Sequence, residues 1–284
     1  MKLATKARRL AKLSRSSMLT AAQVSGLLSE SGLAIESFLL ELIPLAQELA
    51  RPPISNFHVG AVALGSSGAV YLGANLEFPT LPLSQTVHAE QAAVINAANH
   101  GETGLLKLAV SAPPCGYCRQ FLFELATAAE LQIVLANSPS KPLTDYLPFA
   151  FGPRDLGITG GMLQTRPVLL EPKKRSRSEL ELRTLRAARS SYAPYTHAYA
   201  AVGLQTATGE IVVGPYLENA AFNPSISPAQ AALVALALAG HAPESLTAAL
   251  IAQPKNSAID HARATKTLLQ QAAPQVRLQT VATS

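Results

Sequence analysis

The stretch AVALGSSGAVYLGANLEFPTLPLSQTVHAEQAAVINAANHG, residues 61–101, alternates apolar and small residues around the turn GSSG and then becomes an alanine-rich helical pattern. The alternation predicts a β-hairpin over residues 57–78, and the alanine-rich pattern predicts a helix over about 88–100. The same order of features recurs in AVGLQTATGEIVVGPYLENAAFNPSISPAQAALVALALAG, residues 201–240. Each copy carries a Gly-x-x-x-Glu sequence between the hairpin and the helix. The chain is therefore predicted to contain one kind of domain twice.

The sequence around the first copy completes an α/β pattern. Residues 106–112 and 131–136 are strand-like apolar runs, and CGYCRQFLFELATAA, residues 115–129, is a helical pattern between them. Strands that alternate with helices indicate a three-layer α/β domain of about 110 residues. The first 50 residues read as helical, and the RPP sequence at 51–53 ends the last helix.

These patterns divide the chain into four segments. A small helical N-terminal region is predicted over residues 1–50, a first α/β domain over 51–165, a linker over 166–178, and a degenerate repeat of that domain over 179–284. The motifs described below make the first domain the predicted catalytic one and the repeat non-catalytic. Alignment of the two copies places Pro228 where His88 stands and Gln230 where Glu90 stands, and no cysteine follows in the second half. The second copy is therefore predicted to have lost the chemically active side chains that the first copy carries.

The composition is that of a globular protein. Apolar residues make up 48% of the 284 residues and charged residues 14%. Much of the net charge of +5 comes from the N-terminus and from residues 173–190. No aromatic residues interleave with the charges of residues 173–190, which favours a solvated linker and helix face over a nucleic-acid-binding surface.

Several patterns bear on location. No apolar run approaches 18 uninterrupted residues and there is no secretory apolar core, so neither a membrane span nor a signal peptide is expected. The basic N-terminus favours an amphipathic surface helix, with a transit peptide as the alternative. Two cysteines in Cys-x-x-Cys spacing make a poor disulfide framework, and the chain is predicted to be cytoplasmic.

His88, Cys115 and Cys118 are residue types that hold zinc. A catalytic zinc site takes three protein ligands, with thiolate and neutral imidazole among the preferred ones, and leaves the fourth position to water. The Cys-x-x-Cys step places both sulfurs on one side of a helix's first turn, directly after Pro114. His88 also opens a helix, so two helix N-termini are expected to meet at the metal.

Glu90 stands two residues after His88 and is predicted to act on the metal-bound water as general base and afterwards as general acid. Arg119 is a candidate to offset the charge of two thiolates. Taken singly, a Cys-x-x-Cys sequence can be a redox pair and a lone histidine is usually structural. The combination His-x-Glu followed by Pro-Cys-x-x-Cys is more restrictive, since it is the known signature of zinc-dependent deaminases.

Further stretches give the chain a specific resemblance to the cytidine deaminases of the long, homodimeric bacterial type. They are ISNFHVGAVALG (54–65), GANLEF (73–78), QTVHAEQAA (85–93), PCGYCRQF (114–121), DYLPFAFGPRDL (145–156) and YLENAAFNP (216–224). The resemblance covers most of the chain. It implies a three-layer α/β/α cytidine-deaminase-like fold, duplicated, in which a catalytic domain is followed by a broken copy of itself.

The resemblance also implies an activity and partners. One zinc ion per subunit is expected to support hydrolytic deamination of cytidine and 2′-deoxycytidine to the uridines with release of ammonia, a reaction of pyrimidine salvage. The expected partners are the nucleoside and a second subunit in a homodimer. The C-terminal domain of that subunit would lie near the active site. Nucleic acid and membranes are not expected partners.

The substrate-binding residues of the family fall on matching positions here. Phe57 is implied to stack on the base, and Asn75 and Glu77 to bind a ribose 3′-hydroxyl, for which an amide and a carboxylate are chemically suited. The backbone of Ala89 is implied to bind the pyrimidine edge. The alternatives are core packing for Phe57 and a hairpin-end turn for Asn75.

Other family positions are matched less fully. Phe151 is implied to be a second aromatic residue of the pocket, and Ala221 and Phe222 to close it from the partner subunit. Pro113 departs from the pattern, since familiar relatives have threonine there. Its carbonyl can still accept a hydrogen bond, but a hydroxyl and an N–H are lost.

Three other functions compete with nucleoside deamination. A deaminase acting on a base within nucleic acid needs a basic channel with aromatic residues, whereas Phe57, Asn75 and Glu77 make a nucleoside-sized set. A non-catalytic zinc or redox module is disfavoured by Glu90, because structural zinc sites usually fill all four positions with protein ligands. A separate activity of the second half lacks a ligand set.

Overall fold

The structure, a computed structural model, describes residues 17–164, 166–172 and 178–283. Most of the predicted N-terminal surface helix, residues 1–16, and residues 173–177 of the predicted linker lie outside the described residues. Chain contacts divide the protein into two units.

The first unit, Met1–Pro79 with Thr86–Gln164, is built on a six-stranded sheet. Its strands are β1 Met18–Leu19, β2 Gly60–Gly65, β3 Val70–Ala74, β4 Leu105–Val110, β5 Gln132–Val134 and β6 Lys141–Pro142. Its helices are α1 Ala21–Ser31, α2 Ile35–Gln47, α3 Ala89–Asn99, α4 Gly116–Leu122 and α5 Leu143–Tyr146, with a 3₁₀ turn at Pro153–Leu156. The strand order is β1-β3-β2-β4-β5-β6, and only the pair β4 and β5 is parallel.

Two glycines show that helices cover both faces of this sheet. A Cβ atom at Gly60 would meet Ile43 and Gln47 of α2, and a Cβ atom at Gly73 would meet the backbone of Ala89 and Ala93 in α3. Gly73 pairs with the residue after Gly60, so the two positions point to opposite faces. The order of layers is helix, sheet, helix, which confirms the predicted α/β/α class. The glycines let α3, and with it His88, lie directly on the sheet.

The apolar core of the first unit lies between the N-terminal helices and the sheet. Phe38, Leu39 and Leu42 of α2 are fully buried and pack with apolar residues of β2 and β3. The entrance to α1 is fixed by a capping box, in which Thr20 Oγ1 accepts from the Gln23 amide and the Gln23 side chain accepts from the Thr20 amide.

Two sequence predictions for this unit are wrong in detail. Residues 18–19, predicted to be helical, form a short strand antiparallel to β3. The helix predicted over residues 115–129 ends at Leu122. The reason is a distant backbone partner, because the Ala126 amide donates to the Met162 carbonyl and the Met162 amide donates to the Glu124 carbonyl. These hydrogen bonds withdraw residues 124–126 from a helix.

The second unit, Thr165–Ser284 with Thr80–Gln85, repeats the central part of the first. Its strands are β7 Ala201–Thr206, β8 Ile211–Pro215, β9 Leu246–Pro254 and β10 Leu278–Thr283. Its helices are α6 Glu179–Arg189, α7 Pro228–Leu238 and α8 His261–Ala272, with 3₁₀ turns at Leu83–Gln85 and Pro243–Ser245. The strand order β8-β7-β9-β10 matches β3-β2-β4-β5, with the last pair parallel in each case.

The structure corrects the alignment of the two copies. The bridge between Leu217 and Ile226 corresponds to that between Leu76 and Val87, so the next residue, Ser227, corresponds to His88. Both are helix N-caps, and each backbone amide donates to the side chain of a glutamine three residues on. The prediction that Pro228 replaces His88 and Gln230 replaces Glu90 is therefore wrong.

The corrected register identifies what the second copy has in place of the zinc motif. Ser227 stands at the position of His88, and Ala229 stands at the position of Glu90. The corresponding loop of the second copy, from Leu217 to Ile226, is two residues shorter than the loop from Leu76 to Val87. Neither a metal ligand nor an acid is present at these two positions.

One segment belongs to the second unit although it lies between β3 and α3 in the chain. In Thr80–Gln85, the Gln85 carbonyl accepts from Gln230 Nε2 at 2.9 Å, and Thr80 Oγ1 donates to Gln271 Oε1 at 3.0 Å. Nothing in the sequence signals this assignment.

His261 is expected to make the stability of the second unit depend on pH. It is 4% exposed, its ring centroid is 4.2 Å from that of Tyr216, and its Nε2 has no hydrogen-bond partner among the described residues. Burial lowers the pKa of His261 from 6.5 to about 4. Between these values the unfolded chain binds the proton and the folded chain does not, so stability falls as the pH falls.

From the shift to about 4, the free energy of unfolding is expected to lose about 3 kcal/mol between pH 7 and pH 4 through this residue. Urea unfolding of the wild type and His261→Phe at pH 7, 5.5 and 4.5 measures it as a difference, which cancels acid effects that the two proteins share. Parallel stability curves for the two proteins would contradict the assignment.

Candidate active site

The structure brings His88, Cys115 and Cys118 together at the starts of two helices. His88 is the N-cap of α3, Cys115 is the N-cap of α4, and Cys118 lies in the first turn of α4. His88 Nδ1 is 3.5 Å from Cys115 Sγ and 3.4 Å from Cys118 Sγ. The three ligand atoms all lie within 4.8 Å of one another, and they are the one such group among the described residues.

These separations fit zinc. With zinc bonds of about 2.3 Å to sulfur and 2.0 Å to nitrogen, tetrahedral ligands are about 3.5 Å apart. Cys118 is buried and Cys115 is exposed, so the group is closed on the protein side and accessible on the other. Three protein ligands with an accessible fourth position are typical of catalytic zinc rather than structural zinc.

The two thiols share a proton when they stand next to each other. A hydrogen bond with Cys118 lowers the pKa of Cys115 to about 5, and the same hydrogen bond together with burial raises the pKa of Cys118. Without a metal, only one of the two sulfurs is favoured as a thiolate. A divalent cation stabilises both sulfurs as thiolates, because it binds them in that form. The pair is therefore suited to bind a metal ion through two thiolates.

Glu90 lies in the first turn of α3 and is 4% exposed. Burial raises the pKa of its carboxyl group. A raised pKa brings the carboxyl group closer to neutral pH, which suits a general acid and base that must both take up and release a proton. Glu90 lines the same cavity as His88 and Cys115.

That cavity has a volume of about 280 Å³, close to the lower end of the range of about 300–1,000 Å³ found for small-molecule sites. The chain's candidate residues Phe57, Asn75, Glu77, His88, Ala89, Glu90 and Cys115 line it, together with Ser55, Val59, Thr86, Ala112 and Pro113. Two of the three metal ligands, the acid and four of the predicted substrate residues thus line one cavity.

Phe57 and Asn75 form one side of the cavity. The Phe57 ring is 60% exposed, which rules out the alternative of core packing. The Asn75 side chain holds the backbone of residues 57–59, since its Nδ2 donates to the Phe57 carbonyl and its Oδ1 accepts from the Val59 amide, both at 2.9 Å. The exposed Phe57 ring is therefore attached to a fixed backbone.

Glu77 lies on the same side and is held by the loop that precedes Phe57. Its Oε2 accepts from the amides of Ile54 and Ser55 at 2.8 and 3.0 Å, and its Oε1 accepts from Ser55 Oγ at 2.5 Å. Burial raises the pKa of Glu77, but these hydrogen bonds outweigh it, so the net pKa is lowered. The carboxylate stays charged at neutral pH.

Arg119 does not stand as a free cation beside the thiolates. Its Nε donates to the Pro114 carbonyl at 2.7 Å and its Nη1 donates to the Tyr146 carbonyl at 3.1 Å. Its guanidinium carbon lies 5.6 Å from the centroid of the Tyr146 ring. Arg119 thus ties the backbone before the cysteine ligand to α5.

Phe151, Ala221 and Phe222 are not brought to the cavity within the first unit. Phe151 is 45% exposed and its carbonyl accepts from Gln120 Nε2. Ala221 and Phe222 lie in the second unit, where Phe222 is 63% exposed. The closing of the cavity by Ala221 and Phe222 from a partner subunit stays a prediction, as does the place of Phe151 in the pocket.

A duplicated α/β/α fold with a His-Cys-Cys group beside a buried glutamate defines a zinc-dependent deaminase. The family model described as "Cytidine and deoxycytidylate deaminase zinc-binding region" matches residues 34–134 and, in a second version, residues 143–266. The "Cytidine deaminase" of Vibrio vulnificus (strain CMCP6) is 41% identical over 258 residues, which are 91% of this chain and 87% of the relative. The chain belongs to the cytidine deaminase family.

A second relative agrees with this membership. The "Cytidine deaminase" of Yersinia pestis (strain Pestoides F) is 44% identical over 240 residues, which are 84% of this chain and 81% of the relative. The crystal structure of cytidine deaminase from Mycobacterium tuberculosis is 35% identical and covers 42% of this chain and 99% of its own, with a TM-score of 0.38.

Among the described residues, no helix has the length and apolarity that crossing a membrane requires.

Proposed function

We propose that this protein catalyses the zinc-dependent hydrolysis of cytidine to uridine and ammonia, and that it accepts 2′-deoxycytidine as well. The observation that carries the proposal is the shared cavity, in which Glu90 lies with the ligands His88 and Cys115 and with the nucleoside-binding candidates. Membership in the cytidine deaminase family supports the substrate class.

His88, Cys115 and Cys118 would hold the zinc ion. Bound zinc lowers the pKa of its water toward neutrality and so supplies a nucleophile at physiological pH. The helix ends that carry the ligands keep the set in place before the metal arrives, since α3 packs directly on the sheet at Gly73.

Glu90 moves two protons in this reaction. Its carboxylate accepts the first proton of the attacking water and delivers it to N3 of the cytosine ring, while the water oxygen bonds to C4. It then takes the remaining proton from the new hydroxyl group and delivers it to the amine, so that the C4–N4 bond breaks and ammonia leaves. N3 keeps its proton and C4 becomes a carbonyl, which gives uridine.

The other cavity residues bind and orient the nucleoside. Phe57 stacks on the base, and the Ala89 backbone and the Pro113 carbonyl hydrogen-bond to the pyrimidine edge and the amine. Asn75 and Glu77 bind the ribose 3′-hydroxyl. Because a ribose and a deoxyribose both present that hydroxyl, both nucleosides fit the proposed site.

The second half is proposed to be a degenerate, non-catalytic repeat within a homodimer. Ser227 and Ala229 replace the ligand and the acid, which supports the loss of chemistry. In the dimer, Ala221 and Phe222 close the cavity of the neighbouring subunit, and Phe151 adds an aromatic wall. This activity suggests that the protein is a cytoplasmic enzyme of pyrimidine salvage.

Incubation of the zinc-loaded protein with cytidine tests the proposal. The cytidine absorbance near 280 nm should decline while ammonia and uridine appear in equal amounts. An excess of a cytosine-containing oligonucleotide should leave the rate unchanged. Zinc-loaded protein without turnover would favour a non-catalytic zinc module, and strong inhibition by the oligonucleotide would favour a nucleic-acid deaminase.

A further inference from the structure

The loop before β2 contains a hydrogen-bonding motif centred on Ser55. Its hydroxyl donates to Glu77 Oε1 at 2.5 Å and accepts from the Phe57 amide at 3.1 Å. The intervening residue, Asn56, has a φ of 55°, a left-handed conformation that asparagine tolerates. One hydroxyl thus joins the carboxylate of Glu77 to the backbone of Phe57.

The second unit contains the same motif. Thr196 Oγ1 donates to Glu218 Oε1 and accepts from the Ala198 amide at 3.1 Å. Glu218 Oε2 accepts from the amides of Tyr195 and Thr196 at 2.9 and 3.3 Å. His197, between them, has a φ of 55°, as Asn56 has.

The second copy keeps these hydrogen bonds although it has lost the residues that would use them. Ser227 and Ala229 replace the zinc ligand and the acid, Tyr216 stands at the position of Asn75, and Ala198 stands at the position of Phe57. Glu218 is buried, and both oxygens of its carboxylate accept hydrogen bonds. The motif therefore forms without a ligand, as part of the scaffold.

In the first unit the same scaffold lies on the cavity, where Ser55, Phe57 and Glu77 are all lining residues. Glu77 Oε2 already accepts two amide hydrogen bonds, whereas Oε1 accepts one, from Ser55, among the described residues. A carboxylate oxygen has two acceptor positions. Oε1 therefore keeps a position for a substrate hydroxyl, and the Ser55 hydroxyl fixes its direction.

We propose that Ser55 is a positioning residue for nucleoside binding, which acts through Glu77 by fixing the oxygen that accepts the 3′-hydroxyl of the sugar. The inference rests on the proposed function. Without the hydroxyl, the two amide hydrogen bonds to Oε2 remain, but none from the described residues holds Oε1. The terminal bond of the side chain has a broad torsional preference, so rotation about it becomes less restricted and the sugar must order Oε1 on binding.

Ser55→Ala, Ser55→Thr and the wild type, each loaded with zinc, test the inference with cytidine and with 3′-deoxycytidine. Ser55→Ala should lower kcat/KM for cytidine about tenfold, mostly through KM, since a hydrogen bond to a charged group is lost from binding. For 3′-deoxycytidine the loss should be less than about twofold, because the hydroxyl that Oε1 would accept is absent. Ser55→Thr should recover cytidine turnover, as threonine fills this place at position 196.

Thr196→Ala is the matched control. It removes the corresponding hydrogen bonds from the second unit and should lower the melting temperature about as much as Ser55→Ala, with KM for cytidine unchanged. Equal losses by Ser55→Ala for both nucleosides, or an equal rise in KM in Thr196→Ala, would overturn the inference alone. Wild-type protein that deaminates neither nucleoside would overturn the proposed function and the inference with it.

Discussion

Glu90→Gln is expected to lower kcat for cytidine by about 10²–10⁴-fold, the usual contribution of a general acid and base. The amide has nearly the shape of the carboxyl group but cannot pass a proton to N3 or to the amine. Because Glu90 lies beside the ligands without being one of the three, the variant should keep its zinc. Steady-state kinetics and metal analysis on the same sample measure both effects.

Glu102→Gln is the matched control for this variant. Glu102 is a second buried glutamate of the first unit, where it accepts hydrogen bonds from the hydroxyls of Ser67 and Tyr71, away from the cavity. Its replacement should lower stability and leave kcat near the wild-type value. A Glu90→Gln enzyme with near-normal kcat would refute the acid and base assignment.

His88→Ala, Cys115→Ala and Cys118→Ala should each lose zinc and, with it, cytidine turnover. Two remaining ligands cannot close a three-ligand site, and zinc binding contributes to the stability of the folded state that binds it. The melting temperature of the wild type should therefore fall when zinc is removed by a chelator, and that of the variants should not. Metal analysis and thermal unfolding check the two statements.

His100→Ala is the matched control, because it shows whether zinc is lost only when a ligand histidine is replaced or when any histidine is replaced. His100 caps the far end of α3, where its Nδ1 lies 2.8 Å from the Asn96 carbonyl oxygen. This variant should keep one zinc per chain. Full zinc occupancy in any of the three ligand variants would show that the ligand set is wrong.

The part of the fold that depends on local signals was predictable from the sequence. The hairpin β2–β3 follows from alternation around a glycine turn, and α3 follows from its alanine-rich pattern. The end of α4 was not predictable, because it depends on backbone hydrogen bonds from residues 124–126 to Met162, far along the chain. The strand β1 likewise depends on pairing with β3.

The register of the repeat shows a second limit. Pro228 at the start of α7 suggested a match with His88, because each stands near the beginning of an alanine-rich helix. The structure instead matches the N-caps, His88 with Ser227. Each N-cap directly follows the second residue of an isolated β-bridge, Leu76–Val87 in the first copy and Leu217–Ile226 in the second. A loop that is two residues shorter is invisible to a comparison guided by the helix pattern.

The site was predictable where its chemistry is compact in sequence. His-x-Glu and Cys-x-x-Cys are short patterns, and the structure brings both to one cavity. Ser55 and Thr86, which also line it, were missed because a lone hydroxyl has no signature. The signal for Ser55 was its counterpart, Thr196, which also stands 22 residues before a glutamate, but that relation gains meaning only once the hydrogen bonds are known.

Stepwise addition of zinc to metal-free protein, with cytidine turnover measured at each step, tests the central claim most directly. The proposed site predicts no turnover without metal, a linear rise with added zinc, and a plateau at one zinc per chain, because the second copy has Ser227 and Ala229 in place of the ligand and the acid. Full turnover by the metal-free protein, or a rise that continues to two zinc ions per chain, would contradict it.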